Sequence, residues 1–312
     1  MTSQTIGQIG LGAIGAIYAG HLLRAGVSLV VHDIDAARTA DAQRIGATAA
    51  ASPAELAAQV EVILVALPSP EADRASLLSD RGALAAARAG SLVIDVSTID
   101  PHTARELYAA AKACKVDYIE APVSGGEPGG AGTDGAKAAN ISFMVGGDEE
   151  AFERAKPVMS LLGKRFFHLG PAGRGSTVKL ISNHIAGLHN LVAAEAFTLG
   201  AAAGIAPDTL LEVFDGTDAK SFWLTEYFAP RLRRRDFEPG FSVDLQYKDH
   251  LLTEDLGREL KVPLPFNALA IQVYQMLRAK GLGGKDLIEA VNFMAELANT
   301  DIYKPRRPEN AS

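Results

Sequence analysis

The sequence has 312 residues, of which 48% are hydrophobic and 21% are charged, and its formal net charge at pH 7 is -7. This length accommodates one large domain or, more comfortably, two. The excess of acidic residues argues against nucleic acid and against an anionic membrane surface as partners. No apolar run approaches the length of a membrane span, and Met1 is only a few residues from the first predicted strand. We therefore expect no membrane anchor and no targeting segment, and a cytoplasmic location.

The first predicted strand, Ile6 to Ile9, leads into a glycine-rich turn and then into a helical pattern that ends at Ala25-Gly26. Three glycines spaced Gly-x-Gly-x-x-Gly between a strand and a helix form the dinucleotide-binding fingerprint. The first permits a tight turn, the second lets a pyrophosphate approach, and the third lets the helix pack closely on the strand. The helix N-terminus also attracts the pyrophosphate. The predicted cofactor-binding turn consists of Gly10, Leu11, Gly12, Ala13, Ile14 and Gly15.

A second apolar run, Val27 to His32, predicts the next strand, and Asp33 stands directly after it. An acidic residue about 20 positions after the glycines binds the adenosine ribose hydroxyls in such a unit. A carboxylate there would repel a 2′-phosphate, so Asp33 predicts NAD rather than NADP as the cofactor. The alternative is that Asp33 only caps the end of the strand.

Further apolar runs alternate with helical patterns through the first half of the chain: Val60 to Leu67, Ser91 to Val96, Val116 to Ala121 and Ile141 to Gly147. Continuous apolar strands separated by helices predict an α/β domain with a parallel, doubly wound sheet of the Rossmann type. Right-handed crossovers then bring the loops after these strands to one edge of the sheet.

Two of these loops carry candidate contacts to the dinucleotide. Leu67 and Pro68 stand where prolines stop a strand at the carboxyl edge of the sheet. Ser97 and Thr98 follow the next strand, and their hydroxyls can reach a nicotinamide ribose. The alternative for these hydroxyls is to cap the helix that begins at Pro101.

From Gly170 onward the strand patterns end, and alanine- and leucine-rich helical patterns continue to about Ala298. The first of them, Ser176 to Ala203, is too long for a crossover helix and predicts an interdomain helix on which an all-α domain is built. Later helices are predicted to begin near Pro207, Ser242, Pro265 and Gly284.

These patterns predict two domains and a tail. A dinucleotide-binding domain is expected over residues 1–171, and an all-helical substrate and dimerisation domain over residues 172–303. The proline- and arginine-rich residues 304–312 are expected to be a disordered tail.

The long helix carries a candidate proton-transfer group. Lys179 and Asn183 are four positions apart, so they share one face of the helix. The neighbouring Val178, Ile181 and Ile185 are expected to desolvate the lysine and so favour the neutral form that a base requires. The alternative is that Lys179 is a solvated surface residue, as lysines in the first turns of helices usually are.

Two further patterns are candidate binding elements. Successive N–H groups and a hydroxyl at Ser124, Gly125 and Gly126 predict a concavity for a substrate carboxylate, although a simple loop has the same pattern. Lys248 and Asp249 form by themselves an ordinary surface pair. The seven histidines share no metal-ligand spacing with nearby acids, so no metal site is predicted.

Together these patterns resemble one family over nearly the whole chain: the β-hydroxyacid dehydrogenases of the 3-hydroxyisobutyrate dehydrogenase type, within the 6-phosphogluconate dehydrogenase superfamily. Gly10 to Gly15 with Asp33 is similar to the family's cofactor motif, and Ala121 to Gly126 is similar to its substrate motif. Gly173 to Asn183 resembles the catalytic motif, and Lys248 to Leu251 resembles a second cofactor motif. Four motifs in this order are far more specific than any one alone.

The resemblance implies a role for each motif. It implies that Lys179 is the general acid/base and that Asn183 positions the substrate. The residues that it implies for binding the substrate carboxylate are Ser124, Gly125 and Gly126. The further dinucleotide contacts that it implies are Leu67, Pro68, Thr98, Phe241 and Lys248. It also implies a homodimer or homotetramer.

The chain departs from the family pattern at two places near the expected substrate. Glu127 to Asp134 lengthens the loop after the substrate motif, and Ala139-Asn140-Ile141 stands where the family has Gly-Thr-Leu. His184 replaces the second of the family's paired asparagines. These differences leave the identity of the substrate open.

The predicted function is NAD-dependent oxidation of a small 3-hydroxy acid to its semialdehyde, or the reverse reduction, with 3-hydroxyisobutyrate as the first candidate. The alternative within this chemistry is a reductase of tartronate semialdehyde (2-hydroxy-3-oxopropionate) or a related semialdehyde. Lys179 and Asp33 argue against an imine reductase, and the helical half is short for a decarboxylating sugar-acid dehydrogenase. A non-enzymatic dinucleotide sensor is the hypothesis of another class, but it would not need Lys179 and Asn183 together.

Overall fold

The computed structural model describes residues 5–125 and 132–305. The chain divides into two compact units, Met1–Leu180 and Ile181–Ser312. The described part of the first unit is an α/β fold and that of the second is helical, as the sequence predicted. The division falls within the long helix, and the predicted boundary after residue 171 stays a prediction. Residues 306–312 of the predicted tail lie outside the described residues.

The strands found among the described residues belong to the first unit and form one sheet. In chain order they are β1 (Thr5–Ile9), β2 (Ser28–His32), β3 (Thr48–Ala49), β4 (Val62–Val65), β5 (Leu92–Asp95), β6 (Asp117–Glu120), β7 (Val123–Gly125), β8 (Ile141–Gly147) and β9 (Arg165–His168). The helices of this unit are α1 (Ala13–Arg24), α2 (Ala36–Arg44), α3 (Pro53–Ala57), α4 (Pro70–Leu78), α5 (Pro101–Ala113), α6 (Gly132–Lys137) and α7 (Glu149–Met159), followed by the start of α8 (Arg174–Ala202).

The order of strands across the described part of the sheet is β3-β2-β1-β4-β5-β6-β8-β7, with β9 paired to β8. Every neighbouring pair from β3 to β6 is parallel. The order reverses between β1 and β4, and in such sheets the ligand crevice lies outside the carboxyl ends of the strands at that point. The residues that follow β1 and β4 therefore mark the expected position of a dinucleotide.

One strand runs against the predicted direction. The run Ile141 to Gly147 was expected to be parallel, but β8 is antiparallel to both β6 and β7. Only Ala121 and Pro122 separate β6 from β7, so both strands lie along the same neighbour. Strands that pair antiparallel need no crossover helix of the kind that joins parallel strands. The direction of β8 could not be predicted, because a buried apolar run has the same sequence pattern in a parallel and an antiparallel strand.

Both faces of the sheet are covered by apolar side chains. In β4, Val62 and Leu64 belong to one buried cluster, while Ile63 and Val65 belong to another. Successive residues of a strand point to opposite faces, so a strand covered on both sides has a continuous apolar sequence. This is why these strands could be recognised in the sequence without any alternation.

The second unit contains the remainder of α8 and further helices. They are α9 (Pro207–Asp215), a π-helical segment (Trp223–Phe228), α10 (Ala229–Arg234), α11 (Val243–Leu260), α12 (Pro265–Ala279), a 3-10 turn (Leu287–Glu289) and α13 (Ala290–Leu297). The last helix begins later than predicted from Gly284, because the Asp286 side chain caps the 3-10 turn first.

A buried polar network joins three segments of the second unit. The Asn190 amide on α8 donates to the carbonyl of Leu287 (2.8 Å) and to the hydroxyl of Tyr274 on α12 (3.3 Å). The Tyr274 hydroxyl donates in turn to the carbonyl of Gly187 (3.0 Å). Buried polar groups need such partners, so this network specifies how α12 packs on α8.

One helix of the described chain is long and apolar enough to cross a membrane by length and composition alone. It is α8, whose most apolar 18-residue window has a mean hydropathy of 1.2 and is 50% buried. No apolar run of this length was predicted from the sequence. Core helices that are largely covered by protein satisfy the same criterion, so the observation is weak evidence for a membrane span.

Candidate active site

The glycine turn follows β1 at the edge of the sheet where the strand order reverses. Gly10 has φ +92°, a left-handed conformation, and a Cβ there would overlap the carbonyl oxygen of Ala66 after β4. A Cβ on Gly15 would overlap the carbonyl oxygen of Gly10. Gly12 differs, because the nearest atom to its Cβ position is 3.8 Å away, on Arg38. The first and third glycines are therefore required by packing, while the second keeps an open surface.

The turn is also held by a side chain that the sequence analysis missed. Gln8 on β1 is fully buried, and its Nε2 donates to the carbonyls of Gly10 (3.1 Å) and Gly15 (2.6 Å). Its Oε1 is buried without a hydrogen-bond partner in the described part of the chain. The local sequence does not indicate that a glutamine in an apolar strand will hold the turn, because its hydrogen-bond acceptors, the carbonyls of Gly10 and Gly15, come close to it only when the turn has formed.

Asp33 lies beside the same turn. One carboxylate oxygen accepts the N–H of Leu11 (2.6 Å) and the other accepts the N–H of Asp35 (2.8 Å). Its side chain is 6% exposed, and the guanidinium of Arg38 lies 3.9 Å from Oδ2. Each carboxylate oxygen has a second lone pair, so these bonds leave acceptor capacity for a ribose hydroxyl. Asp33 thus fixes the turn and presents its charge there at the same time.

Leu67, Pro68 and Thr98 lie after β4 and β5, at the carboxyl edge that also holds the glycine turn. Leu67 and Thr98 are half-buried, and Pro68 is exposed. The Cβ position of Gly10 is 2.9 Å from a methyl carbon of Leu67, so the first predicted contact residue adjoins the turn directly.

Ser97 holds the ends of β4 and β5 together. Its hydroxyl accepts the N–H of Leu67 (3.0 Å) and donates to the buried carboxylate of Asp73 (3.0 Å). The alternative role of Ser97 and Thr98 as caps of α5 is wrong, because the Asp100 side chain caps that helix.

The substrate motif begins in an extended strand. Ser124 and Gly125 belong to β7 and pair with Ser142 and Ile141 of β8. Successive N–H groups of an extended strand point to opposite sides, so these two residues do not by themselves form the predicted concavity. Gly126, and residues 127–131 of the lengthened loop, lie outside the described residues.

Lys179 lies on a buried polar face of α8. Ser176, Lys179 and Asn183 recur every three or four residues and are 0%, 7% and 6% exposed. The Ser176 hydroxyl has no hydrogen-bond partner in the described chain, and the sequence analysis overlooked this residue although its spacing to Lys179 was visible.

The expected cause of the burial of Lys179 was wrong. Val178, Ile181 and Ile185 are 38%, 49% and 49% exposed, so they lie on the outer face of α8 and do not enclose the lysine. The lysine lies instead on the buried face of α8 that it shares with Ser176 and Asn183. An apolar neighbour in sequence lies about 100° away around a helix and seldom covers the residue beside it.

In the second unit, Asp249 connects two of the predicted site residues. Its carboxylate accepts the side-chain amide of Asn183 (2.5 Å) and lies 3.1 Å from Nζ of Lys248. Asp249 is 1% exposed, so the pair Lys248-Asp249 is not the ordinary surface pair that its sequence suggested. A buried carboxylate shared between an amide and an ammonium holds both in fixed positions.

Phe241, the remaining predicted cofactor residue, lies just before α11. The N–H groups of Gly240 and Phe241 donate to Oδ2 of Asp286 (2.8 and 3.1 Å), and the hydroxyl of Tyr227 donates to the same atom (2.6 Å). The guanidinium of Arg231 lies 3.6 Å from that atom. The buried Asp286 therefore fixes the backbone on which Phe241 stands.

His184, which departs from the family pattern, contacts α12. Its Nδ1 and that of His250 both lie within hydrogen-bond distance of Oδ1 of Asn267, at 3.1 and 2.7 Å. Burial lowers the pKa of His250, which favours the neutral ring. An amide oxygen is only an acceptor, so both histidines carry their proton on Nδ1 here. His184 thus serves in packing α8, α11 and α12.

Glu120, the last residue of β6, is a buried acid that the sequence analysis did not single out. Its Oε1 accepts the N–H groups of Gly173 (2.5 Å) and Gly175 (3.1 Å). Burial raises the pKa of Glu120 from 4.5 to about 7, and the charge of Asp95 on the adjacent strand acts in the same direction. The two glycine N–H groups oppose this shift because they stabilise the carboxylate. Among residues 5–125 and 132–305, no group of three or more His, Cys, Asp or Glu side chains is placed to hold a metal ion.

A parallel sheet with this order and this glycine turn is characteristic of oxidoreductases that use a nicotinamide dinucleotide. Two family profiles divide the chain between them. The profile described as the NAD binding domain of 6-phosphogluconate dehydrogenase matches residues 5–170. The profile described as NAD-binding of NADP-dependent 3-hydroxyisobutyrate dehydrogenase matches residues 173–294.

Curated relatives and solved structures match almost the full chain. A 2-(hydroxymethyl)glutarate dehydrogenase of Eubacterium barkeri is 33% identical over 95% of this chain and 97% of that protein. An NAD-dependent L-serine dehydrogenase of Pseudomonas aeruginosa is 34% identical over 89% of this chain and 93% of that protein. The structure of a Mycobacterium tuberculosis 3-hydroxyisobutyrate dehydrogenase with L-serine is 30% identical, with a TM-score of 0.83, over 94% of this chain and 99% of that one. The chain belongs to the β-hydroxyacid dehydrogenase family, whose members are dehydrogenases acting on alcohol groups.

Replacing Gln8 with leucine should weaken NAD binding and leave the chemical step unchanged. The variant loses two hydrogen bonds, each worth about 1 kcal/mol, so the dissociation constant for NADH should rise by up to roughly thirtyfold. Titration of NADH fluorescence measures this constant, and kcat at saturating NAD is the comparison. The exposed Gln43 on α2 offers a matched Gln43→Leu control. Unchanged NADH affinity in Gln8→Leu would show that the hydrogen bonds from Gln8 to the turn are not needed for binding.

The raised pKa of Glu120 predicts a pH dependence of stability. The folded chain keeps this proton up to about pH 7, whereas the unfolded chain releases it near its ordinary pKa of 4.5. Between these values the folded state binds more protons, so the free energy of unfolding should fall as pH rises, by about 3 kcal/mol in total. Urea unfolding between pH 4.5 and 7.5 measures this fall, which Glu120→Gln should reduce. Identical pH dependence in both proteins would contradict the assignment.

Proposed function

We propose that the chain oxidises a small 3-hydroxy acid to its semialdehyde with NAD, or catalyses the reverse reduction, with Lys179 as the general acid/base. The observation that carries the proposal is the burial of Lys179 and Asn183 on one face of α8. A lysine in the first turns of a helix is ordinarily solvated, and burying one without a function is costly. A non-enzymatic dinucleotide sensor would require the glycine turn but not this pair.

The residues at the edge of the sheet fit a dinucleotide. Gly12 is the N-cap of α1 and offers no side chain to the first turn, so an anion can accept those N–H groups. A side chain at Gly12 would occupy space that is open as far as Arg38. In this proposal Gly10 to Gly15 holds the pyrophosphate, Asp33 accepts the adenosine ribose hydroxyls, and NAD is preferred over NADP.

The remaining contacts follow from the positions of the named residues. Leu67, Pro68 and Thr98 would line the nicotinamide half of the site, since they follow the strands next to the glycine turn. Phe241 and Lys248 are further proposed dinucleotide contacts, as the family resemblance implies. When bound, NAD accepts the hydride that leaves the carbinol carbon.

The protein's part in the reaction is proton transfer and orientation. In oxidation, the neutral Lys179 amine accepts the proton of the substrate hydroxyl as the carbon–hydrogen bond breaks. The resulting ammonium stabilises negative charge that develops on the oxygen. In reduction the ammonium returns that proton to the forming alcohol. Asn183 would hold the substrate hydroxyl or carboxylate, and the Asp249 carboxylate keeps its amide oriented.

The substrate class rests on the family and on shared chemistry. The compounds named for the relatives, 2-(hydroxymethyl)glutarate, L-serine and 3-hydroxyisobutyrate, all carry a CH2OH group on the carbon next to the carboxylate carbon. In the proposal this carboxylate binds at Ser124, Gly125 and Gly126. 3-Hydroxyisobutyrate is the first candidate, and tartronate semialdehyde is the alternative for the reductive direction. A homodimer or homotetramer is part of the proposal on the family resemblance, and the cytoplasmic location expected from the sequence stays part of it.

Replacing Lys179 with alanine should lower kcat by about 10²- to 10⁴-fold, the usual contribution of a general acid/base. NADH absorbance during turnover of 3-hydroxyisobutyrate, L-serine and 2-(hydroxymethyl)glutarate measures the effect. The exposed Lys164 supplies the control, and Lys164→Ala should retain wild-type activity. Failure of every hydroxy acid to react, or full activity in Lys179→Ala, would overturn the proposed function.

Replacing Asp33 with alanine should raise the KM for NAD roughly tenfold, because a charged hydrogen bond to the ribose is lost. It should lower the KM for NADP by a similar factor, because the repulsion of the 2′-phosphate is removed. The released Arg38 should then bind the phosphate, so adding Arg38→Ala should abolish the gain with NADP. The exposed neighbour Asp35 provides the control, and Asp35→Ala should leave the cofactor preference as it is. An unchanged preference in Asp33→Ala would show that Asp33 only supports the turn.

A further inference from the structure

The first turn of α8 is tied to the sheet by one side chain. Glu120 on β6 is fully buried, and its Oε1 accepts the N–H groups of Gly173 and Gly175. A helix leaves its first N–H groups without internal partners, and an acidic acceptor suits the positive end of its dipole. Glu120 therefore acts as the N-terminal cap of α8, although it lies 53 residues earlier in the chain than Gly173.

The backbone around this cap leaves no room for side chains. A Cβ on Gly146 of β8 would overlap Oε1 of Glu120, and a Cβ on Gly175 would overlap the carbonyl oxygen of Met144. Gly173 has φ +93°, which favours glycine. The start of α8 thus packs backbone against backbone on β8, and its position is set by these contacts and by the Glu120 carboxyl group.

Lys179 belongs to the same rigid stretch of chain. It follows Gly175 by four residues in one continuous helix, a distance of about 6 Å along the axis. The hydroxyl of Thr177 donates to the carbonyl of Gly173 (2.7 Å), which further ties the first turn to the cap. A rotation or shift of the first turn is therefore passed directly to the lysine.

We propose that Glu120 is the positioning residue for Lys179: by capping Gly173 and Gly175 it sets the register and direction of the first turns of α8, and hence the position of the lysine amine. The inference rests on the proposed function, in which that amine must come within hydrogen-bond distance of the substrate hydroxyl. A misplacement of about 1 Å in such a group lowers a rate by up to roughly a hundredfold.

The role belongs to the acceptor oxygen rather than to the charge. The ionisable groups around the cap are Asp95 on β5 and Tyr118 on β6, with the guanidinium of Arg105 on α5 beside Gly173. The hydroxyl of Tyr118 donates to Asp95 (2.9 Å), whereas Oε2 of Glu120 is buried without a partner in the described chain. Because Oε1 can accept both N–H groups whether or not Oε2 carries a proton, a glutamine should replace Glu120.

The test compares Glu120→Ala with Glu120→Gln in the full-length enzyme. Glu120→Ala should lower kcat about tenfold or more and leave the KM for NAD within about twofold, because the glycine turn is intact. Glu120→Gln should restore at least half of the lost kcat. The half-buried Glu289 of the second unit gives the matched control, and Glu289→Ala should retain kcat.

Hydrogen–deuterium exchange supplies a readout that does not require activity. After normalisation to folded protein, amides in the peptide that covers Gly173 to Lys179 should exchange faster in Glu120→Ala and at the wild-type rate in Glu120→Gln. Wild-type kcat and exchange in Glu120→Ala would overturn the inference, as would equal kcat losses in both variants. Since Lys179→Ala tests the proposed function separately, an inactive Lys179→Ala beside a fully active Glu120→Ala would refute only the positioning role.

Discussion

The glycine turn after β1 depends on one steric constraint: the carbonyl of Gly10 and the backbone of Gly15 meet with no space for a side chain between them. This contact lets α1 begin directly beside the end of β1, so its unpaired N–H groups face the edge where the strand order reverses. Gln8 bridges the same two residues from within the strand. The carboxylate of Asp33 then joins the turn through the N–H of Leu11, so the charge that is proposed to select the cofactor is also part of the scaffold of the turn.

The first unit uses the same solution a second time at the start of α8. Glycines again bring a helix N-terminus against the backbone of the sheet, and a side chain from a strand again holds the turn, here Glu120 in place of Gln8. The two turns differ in what their helices carry. The start of α1 has no side-chain cap, whereas the first N–H groups of α8 are occupied by a carboxyl group and the helix carries Lys179 further along. In the proposed function, cofactor binding and proton transfer therefore belong to different helices that are packed in a similar way.

Local patterns in the sequence were sufficient to predict the glycine turn, the strands β1, β2, β4, β5 and β6, the helical second unit and the shared helix face of Lys179 and Asn183, because each pattern lies within one stretch of chain. The two-residue strand β3 was not predicted, because it is too short to form an apolar run. Features that join distant residues could not be predicted. Glu120 lies far from Gly173 in sequence, and Asp249 accepts a hydrogen bond from Asn183 on another helix. The direction of β8 could not be predicted either, because a buried apolar run has the same sequence pattern in a parallel and an antiparallel strand. The prediction that Val178, Ile181 and Ile185 desolvate Lys179 was wrong, because residues that are neighbours in the sequence of a helix point in different directions.

The most direct test of the central claim is the fate of the hydrogen on the carbinol carbon. The enzyme is incubated with NAD and 3-hydroxyisobutyrate that carries deuterium at both positions of its CH2OH carbon, and the reduced dinucleotide is analysed by mass spectrometry. Direct hydride transfer predicts one deuterium in each molecule of NADH, and a semialdehyde that keeps the other. NADH without deuterium, or a failure to form NADH from any 3-hydroxy acid with a primary alcohol, would contradict the account.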